Sequence, residues 1–107
     1  MGKVKVSIAM ATYNGERFLR KQLDSLFSQT RRPDEVVVCD DNSSDGTIDI
    51  LKEYKLKYGL RYYVNSSSLG VNRNFFKAIE LCTGDYIAIC DQDDIWLPNK
   101  IEISLSK

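Results

Sequence analysis

The chain has 107 residues, a length that predicts one domain or part of one. Its 15 basic residues balance its 15 acidic residues, and this zero formal charge argues against the basic surface that binds nucleic acid. With three cysteines, no C-x-x-C spacing and no histidine, a zinc site is not expected, and the apolar runs are too short to span a bilayer.

The first half of the chain predicts two strands, each followed by a helix. Val4–Met10 is apolar and rich in β-branched residues, as a buried strand is, and Glu35–Cys39 has the same character. Apolar residues recur at helical spacing after each strand. We expect the first helix to close just before Pro33 and the second to end at Gly59, while Asn42–Gly46 forms a polar turn between them.

The second half repeats this alternation. Leu60–Val64 predicts a third strand near a sheet edge, Asn72–Leu81 a third helix and Tyr86–Cys90 a fourth strand, and a fourth helix can begin at Pro98. The residues predicted for the buried side of the third helix are Phe75, Phe76, Ile79 and Leu81. Strands separated by helices imply parallel pairing with right-handed crossovers, so we predict an α/β fold with a mainly parallel, Rossmann-like open sheet.

Polar motifs follow three of the four predicted strands. They read ATYNGE after the first strand, DDNSSDG after the second and DQDD after the fourth. In an open parallel sheet, ligands bind outside the carboxyl ends of the strands, where the strand order reverses. The carboxylates expected at this edge are Asp40, Asp41, Asp91, Asp93 and Asp94. The sequence therefore predicts a binding site lined by acidic side chains.

Such a concentration of carboxylates favours a bound cation. Carboxylate oxygens suit Mg²⁺ or Mn²⁺, which are usually held by one or two carboxylates together with substrate phosphates. The glycines form neither of the common phosphate-binding loops, so the metal and a cation such as Arg73 are expected to hold the phosphates. Tyr13 offers an aromatic face for a base, and Asp41 offers an acceptor for a ring N–H.

Two stretches of the chain resemble a known family. VSIAMATYNGERFLRKQLDSLFSQTRRPDEVVVCDDNSSDGT resembles the opening of the inverting, nucleotide-sugar-dependent glycosyltransferases with the GT-A fold. SLGVNRNFFKAIELCTGDYIAICDQDDIWLPNK resembles the continuation through the D-x-D motif of that family. The resemblance covers the chain from about Val6 to Lys100. The DQDDIW form is similar to rhamnosyltransferase-like bacterial members that build surface polysaccharides.

The resemblance implies roles for individual residues on the nucleotide. Tyr13 would stack on the base, and Asp41 would accept a hydrogen bond from the base N–H. Asp40 would be structural or would lie near the nucleotide. Arg73 would lie close to the diphosphate, and Asp91 would contact the ribose side.

The same resemblance implies a metal site and a donor. Asp93, with Asp91 in the same D-x-D motif, would hold Mn²⁺ or Mg²⁺, and Asp94 and Trp96 would shape the adjacent wall. The donor would be a UDP- or dTDP-linked sugar, and the acceptor in the full protein would be a glycan or a lipid-linked acceptor.

The resemblance also implies what lies outside these 107 residues. The general base and the acceptor-binding elements of the family are expected beyond Lys107, so no catalytic residue is assigned. Residues 1–107 would be a truncated, donor-binding N-terminal part, inactive alone and prone to self-association through an exposed sheet edge. We expect a cytoplasmic protein with buried thiols, or, in the full protein, one placed peripherally at the inner face of the membrane.

Other functions remain open from the sequence. A non-catalytic module that binds nucleotide sugars would carry the same residues. An aspartate-dependent phosphatase also places D-x-D after a buried strand, but normally after the first strand, whereas here it follows the fourth. A phospho-receiver domain pairs acidic residues as Asp40 and Asp41 are paired, but its strands occur in another order along the chain.

Overall fold

The computed structural model describes residues 4–91 and 94–106, in which strands and helices alternate as predicted. The strands are β1 (Val6–Thr12), β2 (Glu35–Asp40), β3 (Arg61–Val64) and β4 (Tyr86–Cys90). The helices are α1 (Glu16–Phe27), α2 (Thr47–Tyr58), α3 (Val71–Leu81) and α4 (Lys100–Leu105). Gly59 ends α2 in the left-handed conformation that its lack of a Cβ permits. α1 ends well before Pro33, and α4 begins after Pro98.

The four strands form one parallel sheet in the order β3-β2-β1-β4. β1 is central and buried along its whole length, which explains its continuous apolar and β-branched sequence. β3 lies at one edge, as predicted. The chain runs outward from β1 through β2 to β3 and then returns to place β4 on the other side of β1. The strand order therefore reverses between β1 and β4, where this class of sheet binds its ligands.

Helices cover the sheet unequally. The larger core joins α1, α2 and α4 to one face of the sheet, and a smaller cluster around Ala9, Cys39 and Ala78 joins α3 to the other. The prediction for the buried side of α3 was partly wrong. Its buried residues are Asn74 and Ala78, and the Phe76 side chain is 65% exposed. Ala78 packs against Ala9 of β1 and Cys39 of β2, whereas Phe76 lines an open groove together with Ile89 of β4.

The β4 side of the sheet is the less covered side. Within residues 4–91 and 94–106, β4 pairs only with β1, and its residues Tyr86, Ile87 and Ile89 are exposed. Two of the three cysteines, Cys39 and Cys90, are buried free thiols as predicted, whereas Cys82 is only half-buried. A search of the described helices finds none with both the length and the apolar character needed to cross a membrane.

Candidate functional site

A cleft of about 270 Å³ opens at the carboxyl edge of the sheet, beside the point where the strand order reverses. Its lining residues are Ala11, Thr12, Tyr13, Asp41, Val71, Asn74, Phe75 and Asp91. The structure thus brings together Tyr13, Asp41 and Asp91, which come from the ends of three different strands. Asp93, predicted as the principal metal ligand, lies outside the described residues.

Tyr13 directly follows β1 and is 51% exposed, so its ring is accessible from the cleft. The next residue, Asn14, adopts a left-handed conformation with φ 47°, which asparagine tolerates better than most residues. Its N–H donates to the Ser43 hydroxyl at 2.8 Å, and its side-chain oxygen accepts from the Ser44 N–H at 2.8 Å. These bonds fasten the loop that carries Tyr13 to the loop after β2.

Asp40 is fully buried and does not line the cleft. Its Oδ1 accepts from the hydroxyls of Thr12 and Ser43, each at 2.7 Å, and its Oδ2 accepts from the Ser43 N–H at 2.8 Å. These contacts join the ends of β1 and β2 to the turn that follows. Of the two roles considered for Asp40, the geometry favours the structural one.

Asp41 is the buried carboxylate of the cleft, and it anchors the loop before α3. Its Oδ1 accepts from the Asn65 amide at 3.0 Å and the Leu69 N–H at 2.7 Å. Its Oδ2 accepts from the Ser68 hydroxyl at 2.8 Å and the Gly70 N–H at 3.0 Å. Burial alone would raise the pKa of Asp41, but these four donors outweigh it and lower the pKa below its usual range. Asp41 is therefore an anion at neutral pH.

Two buried amide side chains, those of Asn65 and Asn74, form a hydrogen-bonded network that supports Asp41. The Asn65 amide donates to Asn74 Oδ1 at 2.8 Å as well as to Asp41, and Asn74 in turn donates to the Cys39 carbonyl at 2.8 Å. Lys77 Nζ donates to Asn65 Oδ1 at 2.6 Å. The sequence analysis missed this support. A signal was present in Asn74, a polar residue one turn before Ala78 on the side of α3 that faces the sheet.

Arg73 lies on the first turn of α3, where it is exposed and does not line the cleft. The structure therefore does not bring it together with Tyr13, Asp41 and Asp91. The first turn of α3 nevertheless contributes Val71 and Asn74 to the lining. A helix N-terminus carries partial positive charge, which is favourable beside an anionic ligand.

Asp91 follows β4 immediately, and buried polar residues of α1 and of the segment just after it bond to the backbone on both sides of residues 92–93. Gln22 Nε2 donates to the Asp91 carbonyl at 2.6 Å. Further along, the Trp96 N–H donates to the Ser25 hydroxyl at 3.1 Å, and Gln29 Nε2 donates to the Leu97 carbonyl at 2.6 Å. These glutamines and serine therefore hold the segment that carries the acidic motif, a role that the sequence analysis did not identify.

The chemistry of Asp91 suits a divalent cation. Its side chain is exposed to the cleft, and within residues 4–91 and 94–106 no protein donor reaches its carboxylate. Those same residues contain no group of three or more His, Cys, Asp or Glu side chains close enough to hold a metal. Mg²⁺ and Mn²⁺ sites that bind nucleotides commonly use only one or two carboxylates and complete their shell with phosphate and water. Asp91 therefore fits as one ligand of such a site.

Comparisons of sequence and structure identify proteins that are similar to this chain. The dTDP-rhamnosyl transferase RfbG of Shigella flexneri is 38% identical over 100 residues, which cover 87% of this chain and 34% of RfbG. The structure of S. aureus TarS 1–349 in complex with UDP matches with a TM-score of 0.87 and 28% identity, over 95% of this chain and 31% of that chain.

A third similar protein is the mannosyltransferase PcManGT of Pyrobaculum calidifontis, whose structure contains GDP-Man and Mn²⁺. It matches with a TM-score of 0.80 and 26% identity, over 89% of this chain and 29% of that chain. The chain thus spans about a third of the length of RfbG and of the two compared structures. The predicted α/β fold with a parallel sheet of GT-A type is confirmed.

The family model for glycosyl transferase family 2 matches residues 7–107, which include every strand end that lines the cleft. This match covers most of the chain and excludes the phosphatase and phospho-receiver alternatives. The chain belongs to glycosyl transferase family 2.

Proposed function

We propose that this chain is the donor-binding part of a glycosyltransferase and that a nucleoside diphosphate sugar binds in the 270 Å³ cleft. The observation that carries the proposal is the meeting of Tyr13, Asp41 and Asp91 at the reversal of strand order. The Tyr13 ring offers a stacking surface to a base, and the buried Asp41 carboxylate offers an acceptor to a base N–H. The exposed Asp91 carboxylate offers a ligand to a cation that holds phosphates.

The base end of the donor lies between Tyr13 and Asp41 in this proposal. The exposed ring of Tyr13 provides a stacking surface, and such stacking is sequence-tolerant because every base has a π-face. Asp41 selects bases that present an N–H to it, because its lowered pKa keeps it an ionised acceptor. The donors are a UDP- or dTDP-linked sugar, which agrees with the UDP bound to TarS and with the name of RfbG.

The diphosphate end lies at the acidic motif. Asp91 and Asp93 would hold Mg²⁺ or Mn²⁺ there, as the Mn²⁺ of the PcManGT complex suggests. A bound cation supplies Lewis-acid stabilisation to the leaving diphosphate. Gln22, through its bond to the Asp91 carbonyl, keeps the motif at the cleft. Arg73 would serve the diphosphate only by reaching in from the exposed first turn of α3.

We propose polysaccharide or cell-surface glycan synthesis as the process, with a glycan or a lipid-linked acceptor. The proposed location is the cytoplasm or, in the full protein, the inner face of the membrane. RfbG, a rhamnosyl transferase, supports the sugar-transfer part of this proposal. Self-association of the chain through the exposed β4 edge also stays a prediction.

Titration calorimetry with UDP and with dTDP, in manganese and in chelator, tests the proposal. We expect binding in manganese that Tyr13→Ala weakens by about 1–3 kcal/mol, on the scale of base stacking elsewhere. Tyr13→Phe is the matched control, because it removes the hydroxyl and keeps the ring. Failure of both nucleotides to bind, or equal binding by Tyr13→Ala, would reject the cleft as the donor site.

Sugar transfer by a longer protein that contains this chain separates an enzyme from a non-catalytic module. Transfer needs a general base for the acceptor hydroxyl, and none is assigned in this chain. We therefore expect nucleotide binding but no transfer by the 107-residue chain. Titration calorimetry measures the binding, and radiolabelled donor with product chromatography measures the transfer.

A further inference from the structure

Asp41 has every acceptor position of its carboxylate in use. A carboxylate offers about four lone-pair sites, and its two oxygens each accept two hydrogen bonds from the protein. A base N–H that bonds to Asp41 must therefore take the place of one of these four donors.

Three of the four donors are held firmly. The N–H groups of Leu69 and Gly70 belong to the backbone, so displacing either would move the loop and the start of α3. Asn65 is buried, and its amide is fixed by Asn74 and Lys77. Removing this amide from Asp41 would leave buried polar groups without partners, which is costly.

Ser68 is the donor that can leave. It is exposed, and its hydroxyl bonds to Asp41 Oδ2 at 2.8 Å. Rotation about one side-chain bond frees this oxygen, and water is then available to satisfy the released hydroxyl. Neither the backbone nor the buried amide network needs to move.

We propose that the Ser68 hydroxyl occupies the acceptor position of Asp41 that the imide N–H of a uracil or thymine base takes on binding. Ser68 then sets the affinity for the base: a base with an N–H of its own replaces the hydroxyl, whereas the hydroxyl stays on Asp41 when the base has no such donor. The inference rests on the proposed function, since it takes Asp41 as the carboxylate that recognises the base. It also implies that Ser68 competes with the base and lowers the affinity for UDP.

Ser68→Ala removes the competitor and leaves Asp41 with a vacant acceptor position. Ser67→Ala is the matched control, because Ser67 is an exposed neighbour in the same loop with no bond to Asp41. The probes are UDP and 3-methyl-UDP, in which a methyl group replaces the imide hydrogen. Calorimetry of the whole chain in manganese gives the ratio of the two affinities for each variant.

We expect Ser68→Ala to bind UDP about two- to tenfold more tightly, the range that corresponds to one net hydrogen bond. Its affinity for 3-methyl-UDP is expected to stay at the wild-type value, so the ratio rises by the same factor. Ser67→Ala is expected to leave the ratio unchanged. Ser68→Gly removes the same hydroxyl and is expected to shift the ratio equally, which guards against an effect peculiar to one variant.

Each contrary result has a distinct meaning. If the wild type binds UDP but Ser68→Ala binds it no more tightly, the role of Ser68 is wrong while the donor site stands. Equal gains for UDP and 3-methyl-UDP also overturn the role, because they indicate a general loosening of the loop. If the wild type does not bind UDP, this inference and the proposed function both fail.

Discussion

Asp40 and Asp41, adjacent at the end of β2, have different structural roles although their side chains are chemically identical. Asp40 faces the interior and joins β1, β2 and the following turn, whereas Asp41 faces the cleft and anchors the loop before α3. The alternation of side chains along a strand end accounts for this difference. The sequence predicted that the pair lies at the ligand edge, but which aspartate faces the interior depends on the hydroxyls of Thr12 and Ser43, which only the fold brings within reach.

Asp40→Asn tests the structural role. The amide nitrogen would face either the Ser43 N–H or the two hydroxyls now bound to Asp40, so at least one buried donor would lose its acceptor. We expect the free energy of unfolding, measured by urea denaturation, to fall by about 2–3 kcal/mol. UDP affinity under folding conditions should remain close to wild type.

Asp49→Asn, which removes an exposed carboxylate on α2, is the control for Asp40→Asn and should change stability little. A stable Asp40→Asn variant with lost nucleotide binding would instead place Asp40 at the nucleotide.

At the scale of elements, α1 shows which contacts hydrophobic periodicity predicts and which it does not. The pattern predicted that α1 packs on the sheet, and Leu19, Leu23 and Leu26 are buried there. It did not predict that Gln22 and Ser25, on the same face, would bond to the segment after β4. Those partners lie about 70 residues away in the sequence, and no local pattern specifies such a pairing. Buried polar residues on an otherwise apolar face are the only local signal.

At the amino ends of the strands, opposite the cleft, Glu35 links neighbouring segments through hydrogen bonds. It is the first residue of β2. Its carboxylate accepts from the Ser7 hydroxyl, the Thr83 N–H and the Arg61 guanidinium, and so connects β1, β3 and the turn before β4. Burial alone would raise the pKa of Glu35, but these donors lower it from 4.5 to about 2. The folded state therefore binds the proton more weakly than the unfolded state does.

This pKa predicts a pH dependence of stability. The contribution of Glu35 is fully present above its ordinary pKa of 4.5 and is lost as the pH falls towards 2. We expect Glu35→Gln to lower the unfolding free energy at neutral pH by about 1–2 kcal/mol, a value reduced for solvent screening of the Arg61 pair. Urea denaturation at several pH values should show that the deficit shrinks between pH 4.5 and 2.

Glu80→Gln is the matched control for Glu35→Gln, since Glu80 is an exposed glutamate on α3. A deficit that stays constant down to pH 2 would contradict the assigned pKa of Glu35.

At the scale of the whole molecule, the alternation of elements predicted the parallel sheet, and the polar motifs predicted which edge binds the ligand. The order β3-β2-β1-β4 required the structure, because the alternation alone does not say on which side of β1 the last strand lies. That order also leaves β4 with exposed apolar side chains, and it places Asp91 across the cleft from Asp41. A ligand in the cleft therefore bridges segments that are far apart in the chain.

Because of this bridging, UDP with manganese is expected to stabilise the whole fold. A ligand that binds only the folded state, at a free concentration ten times its Kd, contributes about 1.4 kcal/mol. For a domain of this size that raises the Tm by roughly 5–10 °C.

The chelator EDTA should remove the metal-dependent part of this Tm shift. Asp91→Asn should do the same, since it takes away a carboxylate that faces the cleft, whereas Glu80→Gln should keep the shift. Scanning calorimetry of the three proteins, with UDP and either manganese or EDTA, makes the comparison. A Tm shift that is equal in manganese and in EDTA, or undiminished in Asp91→Asn, would show that the cation does not connect the nucleotide to this acidic motif.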